Sequence, residues 1–354
     1  MNILLLTDKI DYVSGTAKHL FYLTNELLKH KDDKLYIVCA GGDMQEDFIQ
    51  SGVNVVIYPR LSFEKRSEIN YLLSFLFLIR FCRENNISII HSHTHYTANL
   101  GYFAAKILMI KSIQTIHGLF PDEGRLPHFR AGLYITVNNK IIDQMLIAGI
   151  KQKKIFLIRQ GAPEPALTKK KLKPLKVLCA SRLIYDKGVD IFINSVNEIS
   201  GKLNIETNFI IAGEGDYMED LQRLANEKGI NISFIGKLNN LNSLLAEFHI
   251  FVFPSRIKTE GFPVALIEAG MNNNLIITSN FESLTEVAEI TKDCIVFYND
   301  DYEDLAGKLL FAINNYSNLI LIAENFQNKC RKNFTSEIMA EKTREVYLKV
   351  KGER

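Results

Sequence analysis

The chain has 354 residues, 47% of them apolar and 23% charged, with a formal net charge of +2. These values give no sign of disorder; the near-neutral charge says little about partners, and no nucleic-acid partner is expected. At ~100–200 residues per domain the length points to two domains. Residues 1–165 carry 19 Lys and Arg against 15 Asp and Glu, a mildly basic half that suits an anionic acceptor or a membrane surface, or is ordinary scatter. The five cysteines (Cys39, Cys82, Cys179, Cys294 and Cys330) are widely spaced and include no CxxC, as expected for small buried thiols in a reducing compartment. Met1 leads directly into the apolar run Ile3–Leu6, without a basic region or a small-residue cleavage site. That run reads as a first core strand rather than a signal peptide. The expected location is cytoplasmic, with a peripheral position at the inner membrane face as the other option.

The first half alternates strand-type and helix-type stretches. Unbroken Val/Ile/Leu-rich runs lie at Ile3–Thr7, Leu35–Ala40, Val53–Tyr58, Ile87–His91, Ile113–Thr115, Tyr134–Val137 and Ile155–Ile158. Such runs suit parallel strands buried on both faces. Helices are predicted at 16–30, 67–85, 96–109 and 138–148. Tyr71–Phe81 is the most apolar stretch but is far short of the ~20 residues that span a bilayer. It reads as a deeply packed helix, with lipid contact as the alternative. His91, His93 and His95 alternate, so an extended segment would place them on one side. A metal there is the weaker reading and a polar strand end the stronger.

Gly161–Pro165, with two prolines, and the lysines at 169, 170, 171 and 173 read as a solvated linker. The alternation then restarts, with strands at Val177–Ala180, Phe209–Ala212, Ile232–Ile235, Ile250–Phe253, Leu275–Thr278 and Cys294–Phe297. Helices are predicted at 189–200 and 217–228, with a terminal helix at 335–350. The expected domains are 1–165 and 166–334, both doubly wound α/β, with 335–354 as a final helix free to return to the first domain. Ligands of such sheets bind beyond the carboxyl ends of the strands. A crevice between the two domains is the expected site.

Four strand-to-helix loops of the second half carry candidate chemistry. Arg182 and Lys187, five residues apart ahead of Gly188, suit an anion such as a diphosphate. Gly213 and Gly215 allow close backbone approach to a ligand. Gly236 and Lys237 follow a further strand and suit contact with a base. The fourth loop, Glu260–Gly270, is the most informative. Pro263 favours a helix start, whose free N–H groups bind anions. Glu260 then precedes the helix and Glu268 lies within it. Two acids beside an anion site make sense as acceptors for neutral hydroxyls, one set on a sugar and one on a ribose.

Read in order, SRLIYDKG, AGEGD, FIGK, FPSR and EGFPVALIEAG resemble the donor domain of retaining glycosyltransferases of the GT-B fold, family 4. Glu260 and Glu268, with seven residues between them, match that family's EX7E pattern. The first half agrees: Ser14–His19 resembles the glycine-rich first loop, Ile90–His93 the strand-end histidine pattern, and Thr115–Gly118 the His-Gly loop. The similarity spans roughly residues 1–330. It implies an α/β architecture of two Rossmann-like domains facing across a cleft, and a hexosyltransferase-type enzyme that retains anomeric configuration without metal or other cofactor. The implied partners are a nucleotide-diphosphate sugar, with UDP favoured, and a saccharide or lipid-linked acceptor, with peripheral membrane contact as an option.

By the same resemblance Arg182 and Lys187 would hold the diphosphate, and Gly15 and Thr16 would close on it. Glu268 would bind the ribose. Glu260, with the backbone of Gly261, Phe262, Pro263 and Val264, would hold the transferred sugar. His117 would sit near the reacting centre, and Gly213, Gly236, Lys237 and Leu238 would line the nucleotide site. Three stretches depart from the family pattern: Ser14 and Ala17 in the first loop, Gln160 where asparagine is usual, and the run Met271–Asn274. The alternatives are a sugar-nucleotide epimerase and an inactive binding or partner subunit. There is no G-x-S-x-G elbow and no G-x-G-x-x-G after the first strand, which argues against a hydrolase triad and a dehydrogenase.

Overall fold

The computed structural model describes residues 1–120, 130–165, 174–238, 241–257, 260–281 and 292–352. Its chain divides into two units, Met1–Gly161 with Ser336–Arg354, and Ala162–Thr335. The lysines at 169, 170, 171 and 173 lie outside the described residues.

The first unit holds seven parallel strands: β1 (Asn2–Leu6), β2 (Lys34–Cys39), β3 (Asn54–Ile57), β4 (Ile89–Ser92), β5 (Lys111–Ile116), β6 (Leu133–Thr136) and β7 (Ile155–Leu157). Their order is β3-β2-β1-β4-β5-β6-β7. The helices between them are α1 (Gly15–Leu27), α2 (Gln45–Gln50), α3 (Glu68–Glu84), α4 (His95–Leu108) and α5 (Asn139–Ile147). Four of these five begin at a side-chain cap. Ser14, Ser67, Thr94 and Asn138 each accept a hydrogen bond from the backbone N–H three residues on, satisfying a donor the helix cannot use internally.

Strand alternation sorts β1 between two layers. Ile3 and Leu5 join the core containing Leu20, Leu23 and Leu27 of α1. Leu4 and Leu6 join the opposite core, with Leu78 of α3 and Leu100 and Ala104 of α4. Burying each such side chain stabilises the fold by ~1.5–3 kcal/mol.

The expectation of a deeply packed Tyr71–Phe81 helix is corrected. Helix α3 is an outer-layer element that packs Leu78, Phe81 and Cys82 inward, while Leu72, Leu73 and Leu76 face out. Only one of its sides has a layer to pack against.

The second unit repeats the plan with β8 (Leu175–Ala180), β9 (Thr207–Ala212), β10 (Ile232–Phe234), β11 (Ile250–Phe253), β12 (Leu275–Ser279) and β13 (Ile295–Phe297), parallel in the order β10-β9-β8-β11-β12-β13. Its helices include α6 (Val189–Ile199), α7 (Met218–Glu227), α8 (Leu241–Leu245), α9 (Val264–Met271), α10 (Tyr302–Asn314) and α11 (Tyr316–Asn333). The sequence reading missed α2, α8, α10 and α11. Leu305, Leu309 and Ile313 of α10 and Ala323 of α11 belong to the core of this unit. No single helix among the described residues is long and apolar enough to cross a membrane.

The unusual run Met271–Asn274 ends α9. Asn272 donates its side-chain NH₂ to the Glu268 carbonyl at 2.9 Å, Asn273 adopts φ 56°, and Asn274 donates to the Phe248 carbonyl at 2.8 Å. Asparagine suits both the left-handed position and the carbonyl partners of a helix end.

The chain returns to the first unit as α12 (Ser336–Gly352), which packs on α1. Asp33 ties its two ends together, accepting from the Met1 ammonium at 2.6 Å and from Arg344 at 3.1 Å. Tyr347, fully buried, meets Nδ1 of His91 through its hydroxyl at 2.6 Å. Replacing Tyr347 by Phe keeps the ring and leaves that imidazole nitrogen without its partner. Tyr347→Phe is expected to lower stability by about 1–3 kcal/mol in urea unfolding; an unchanged midpoint would show that the hydroxyl contributes nothing there.

Candidate functional site

In each sheet the chain winds outward from its first strand and then reverses to the other side. In the second unit the reversal falls between β8 and β11, where crevices form at the strand carboxyl ends. The loops there are laced by backbone. Gly213 N–H donates to the Gly236 carbonyl at 2.7 Å, Leu183 N–H to Glu214 at 2.9 Å, and Arg256 N–H to Asp186 at 2.9 Å.

Glycine makes these approaches possible. Gly188 sits at φ 66°, where a Cβ would run into the Pro254 carbonyl. Gly213, at φ 139°, would meet the Ser181 carbonyl in the same way. Arg256 adds a side-chain clamp. Its two terminal nitrogens each reach Asp190 at 2.7 Å, and Nε reaches Asp300 at 2.6 Å. Burial alone would lower its pKa, but the two carboxylates outweigh that and raise it. Sequence reasoning noted Arg256 only as part of FPSR and missed this clamp, which joins two loops to the first turn of α6.

Two of the predicted polar residues meet at this frame. Lys187 ion-pairs with Glu260, and both side chains are largely buried, at 12% and 13% exposure. Glu260 also accepts from the Ser255 hydroxyl at 2.9 Å. Helix α9 starts after Pro263 (φ −65°), and no side chain caps it. The Leu266 N–H donates to the Pro263 carbonyl at 3.1 Å, and a helix start without a side-chain cap is a place where an anion can bind. Glu268, in the middle of that helix, is fully buried. Gly261, Phe262 and Val264 are buried beside it. Arg182 is exposed on the same loop as Lys187. Lys237 pairs with Glu214 at 3.2 Å, joining the second and third loops, and Leu238 follows it, half-buried.

In the first unit Gly15 and Thr16 are the opening residues of α1 rather than members of a loop, because Ser14 already caps the helix. The expectation that His91, His93 and His95 share one side is also corrected. His91 lies in β4 and meets Thr115 at 2.7 Å as well as Tyr347, whereas His95 opens α4 and turns to Gln114 at 3.0 Å. The extended backbone ends between them.

His93 instead joins His117 and His19. Gln160 offers its carbonyl to Nδ1 of His19 and its NH₂ to Nδ1 of His117, the latter at 3.1 Å. His117 must then carry its proton on Nε2 and donate it to Nδ1 of His93, 3.2 Å away. This leaves a lone pair on His19 Nε2 and an N–H on His93 Nε2. Both are buried and without a partner among the described residues. One ring nitrogen from each of the three histidines lies within 4.8 Å of the others. A tetrahedral ion would draw such donors to about 3.3 Å, and needs lone pairs where the hydrogen-bond chain puts protons. The cluster as built suits the hydrogen-bond chain. Gln160 had stood out in the sequence only as a departure from pattern.

Burial holds these rings neutral. It lowers His19 to about 4 despite Gln160, and His91 to about 3 with help from nearby His19. It lowers His93 and His117 well below 6.5, again as the first cause. Unfolded imidazoles take up protons below ~6.5 while these do not, so the unfolded state gains protons first and stability falls as pH drops. The unfolding midpoint is expected to fall steadily from pH 6.5 to about 4; a flat profile across that window would contradict neutral burial of the cluster.

Two family models match the chain. One, described as Glycosyltransferase Family 4, covers residues 13–163, and the other, Glycosyl transferases group 1, covers residues 164–335. The chain is 23% identical to the phosphatidylinositol N-acetylglucosaminyltransferase gpi3 subunit of Schizosaccharomyces pombe, over 94% of this chain and 77% of that protein. It is 22% identical to N,N'-diacetylbacillosaminyl-diphospho-undecaprenol alpha-1,3-N-acetylgalactosaminyltransferase of Campylobacter jejuni, over 97% of this chain and 99% of that one. Among solved structures, Anabaena Alr3699/HepE in complex with UDP-glucose superposes with a TM-score of 0.82 at 16% identity, covering 99% of this chain and 100% of that chain. With both halves matched in order and the fold shared throughout, the chain belongs to the family 4-like glycosyltransferases of the GT-B fold.

Proposed function

We propose that this glycosyltransferase moves a sugar from a UDP-sugar to a lipid-linked saccharide, with retention of configuration and with its own cations, rather than a metal ion, carrying the leaving-group charge. The observation that carries the donor side is the grouping at the β8/β11 switch point: Lys187 against Glu260, the uncapped start of α9 beside them, and Glu268 buried in that helix. UDP is favoured because Alr3699/HepE was solved with UDP-glucose. A lipid-linked acceptor is favoured because the Campylobacter relative is named for a diphospho-undecaprenol substrate and the Schizosaccharomyces relative for phosphatidylinositol.

In this reading the pyrophosphate takes Lys187, exposed Arg182 and the first N–H groups of α9. These groups face the negative charge that builds as the glycosidic bond to phosphate breaks. Glu260, released from Lys187, and the backbone of Gly261–Val264 hold the sugar hydroxyls, and Glu268 holds the ribose. Lys237 and Leu238, with Gly213 and Gly236, lie towards the base. His117 is proposed to meet substrate as a neutral ring. Both its nitrogens are engaged by Gln160 and His93, so it is proposed as a contact rather than a proton shuttle.

A second reading, in which the chain works only alongside a partner, draws on the word "subunit" in the name of the Schizosaccharomyces relative. The purified chain alone, given labelled UDP-sugars and undecaprenyl-diphosphate saccharides, is expected to form product with the donor's anomeric configuration, read by NMR. No transfer from any nucleotide sugar, together with no UDP-induced rise in melting midpoint, would end the transferase reading; a midpoint rise without transfer would favour the partner-dependent one. Lys187→Ala should lower kcat about 10²–10³-fold, the usual cost of removing a group that stabilises transition-state charge. Glu268→Gln should weaken UDP binding in calorimetry while the fold melts as before.

A further inference from the structure

Helix α3 presents an apolar row to solvent. Ile69, Leu72 and Leu76 are 70%, 56% and 53% exposed, with Leu73 beside them. Their spacing, i, i+3, i+4 and i+7, places them along one side of the helix. The opposite side is already in use, with Ser74, Leu78, Phe81 and Cys82 buried. The helix is thus apolar on two sides and, among the described residues, has one protein layer. Contiguous exposed rows of large aliphatic side chains mark a surface that is covered by something else.

Three observations say what covers it. First, the segment leading into the helix is cationic. Arg60, Lys65 and Arg66 are all exposed, and neither Lys65 nor Arg66 has a carboxylate partner among the described residues. Of the nearby acids, Glu64 is neutralised by Lys9 at 2.9 Å, Glu68 sits in the first helical turn, and Asp8 accepts from the Phe63 N–H at 3.1 Å. Second, this segment carries its own apolar residue. Phe63 is 50% exposed, with the Arg66 guanidinium 3.9 Å from its ring centre. A ring with a cation over it, next to a row of leucines, suits the boundary between headgroups and acyl chains.

Third, this end of the helix lies at the carboxyl edge of the first sheet. The Phe63 N–H donates to Asp8, just past β1, at 3.1 Å, and Phe63 and Tyr71 both pack their rings on Tyr96, in the first turn of α4. That is the edge at which His93 and His117 follow β4 and β5. A row of aliphatic side chains with a phenylalanine, flanked by exposed cations, suits the surface of an anionic bilayer.

We propose that the outer face of α3, with Phe63, Lys65 and Arg66, docks the first unit on the surface of a bilayer containing anionic lipid. The strand ends are thereby held at headgroup height. The proposal deepens the lipid-linked acceptor reading and rests on it for its purpose, though not for its test.

The test is co-sedimentation of the full chain with vesicles, with no donor or acceptor present, so that a failure here leaves the transferase reading standing and the reverse. The full chain is expected to sediment with equimolar phosphatidylcholine and phosphatidylglycerol vesicles, less so at high salt, and to stay in solution with phosphatidylcholine alone. Leu72→Glu with Leu76→Glu should cut partitioning at least about tenfold with the melting midpoint unchanged. Lys65→Ala with Arg66→Ala should remove the preference for anionic vesicles, by roughly fivefold for each cation. The proposal is overturned if the chain stays in solution with mixed vesicles, or if either folded variant sediments like the parent. It is equally overturned if light scattering finds an oligomer that Leu72→Glu with Leu76→Glu dissolves, which would make the face a contact between copies.

Discussion

The second unit depends on how closely its strand-end loops can approach one another. Gly188 holds a left-handed backbone against the Pro254 carbonyl, and Gly213 turns against Ser181. Any side chain at either position would push the loops apart. Their closeness lets Lys187, on the loop after β8, reach Glu260, on the loop after β11, and lets Arg256 grip Asp190 and Asp300 together. The polar groups are placed by backbone packing first and by their own attraction second. A buried ion pair such as Lys187 with Glu260 contributes little net stability once desolvation is counted. In the proposed function the pair keeps a cation and an acid together where a phosphate and a sugar would each take one.

The first unit solves a different problem. Four imidazoles, His19, His91, His93 and His117, crowd the ends of its central strands, and water reaches them poorly. Buried polar rings are tolerable when each nitrogen has a partner. Tyr347, Thr115 and Gln160 partner four of the eight nitrogens, His93 and His117 partner each other, and Nε2 of His19 and of His93 have no partner among the described residues; Gln160 sets the direction of the protons through the chain it starts. The cluster is therefore rigid and neutral at ordinary pH, a fixed polar wall rather than a set of titrating groups. Tyr347 comes from the last helix, so the chain's final segment is part of this wall.

Helix α3 shows how composition and packing separate. Its sequence is apolar on every side, which a core helix and a surface helix touching lipid share equally. Only the neighbouring layer decides between them: α4 and the sheet cover one flank, and nothing described in the first unit covers the row from Ile69 to Leu76.

The architecture was legible along the chain because it rests on local patterns. Apolar runs bounded by caps and glycines mark each of the thirteen described strands and the helices that cross between most of them, and the ordered loop motifs mark the family. Even the start of α9 was visible, since Pro263 restricts its neighbours through covalent geometry alone. The helices at 302–314 and 316–333 went unread: Asp301 caps the first, accepting from the Asp304 N–H at 2.9 Å, but the second has no side-chain cap, and both join a core assembled from distant residues. What only the tertiary structure decided is which side chains meet. Gln160 reaches His19 across 141 residues of chain, and Tyr347 reaches His91 across 256. Periodicity reports which face of an element seeks burial, a property of neighbouring residues. The identity of the partner on that face is fixed by the folding of distant segments together, and no local spacing encodes it.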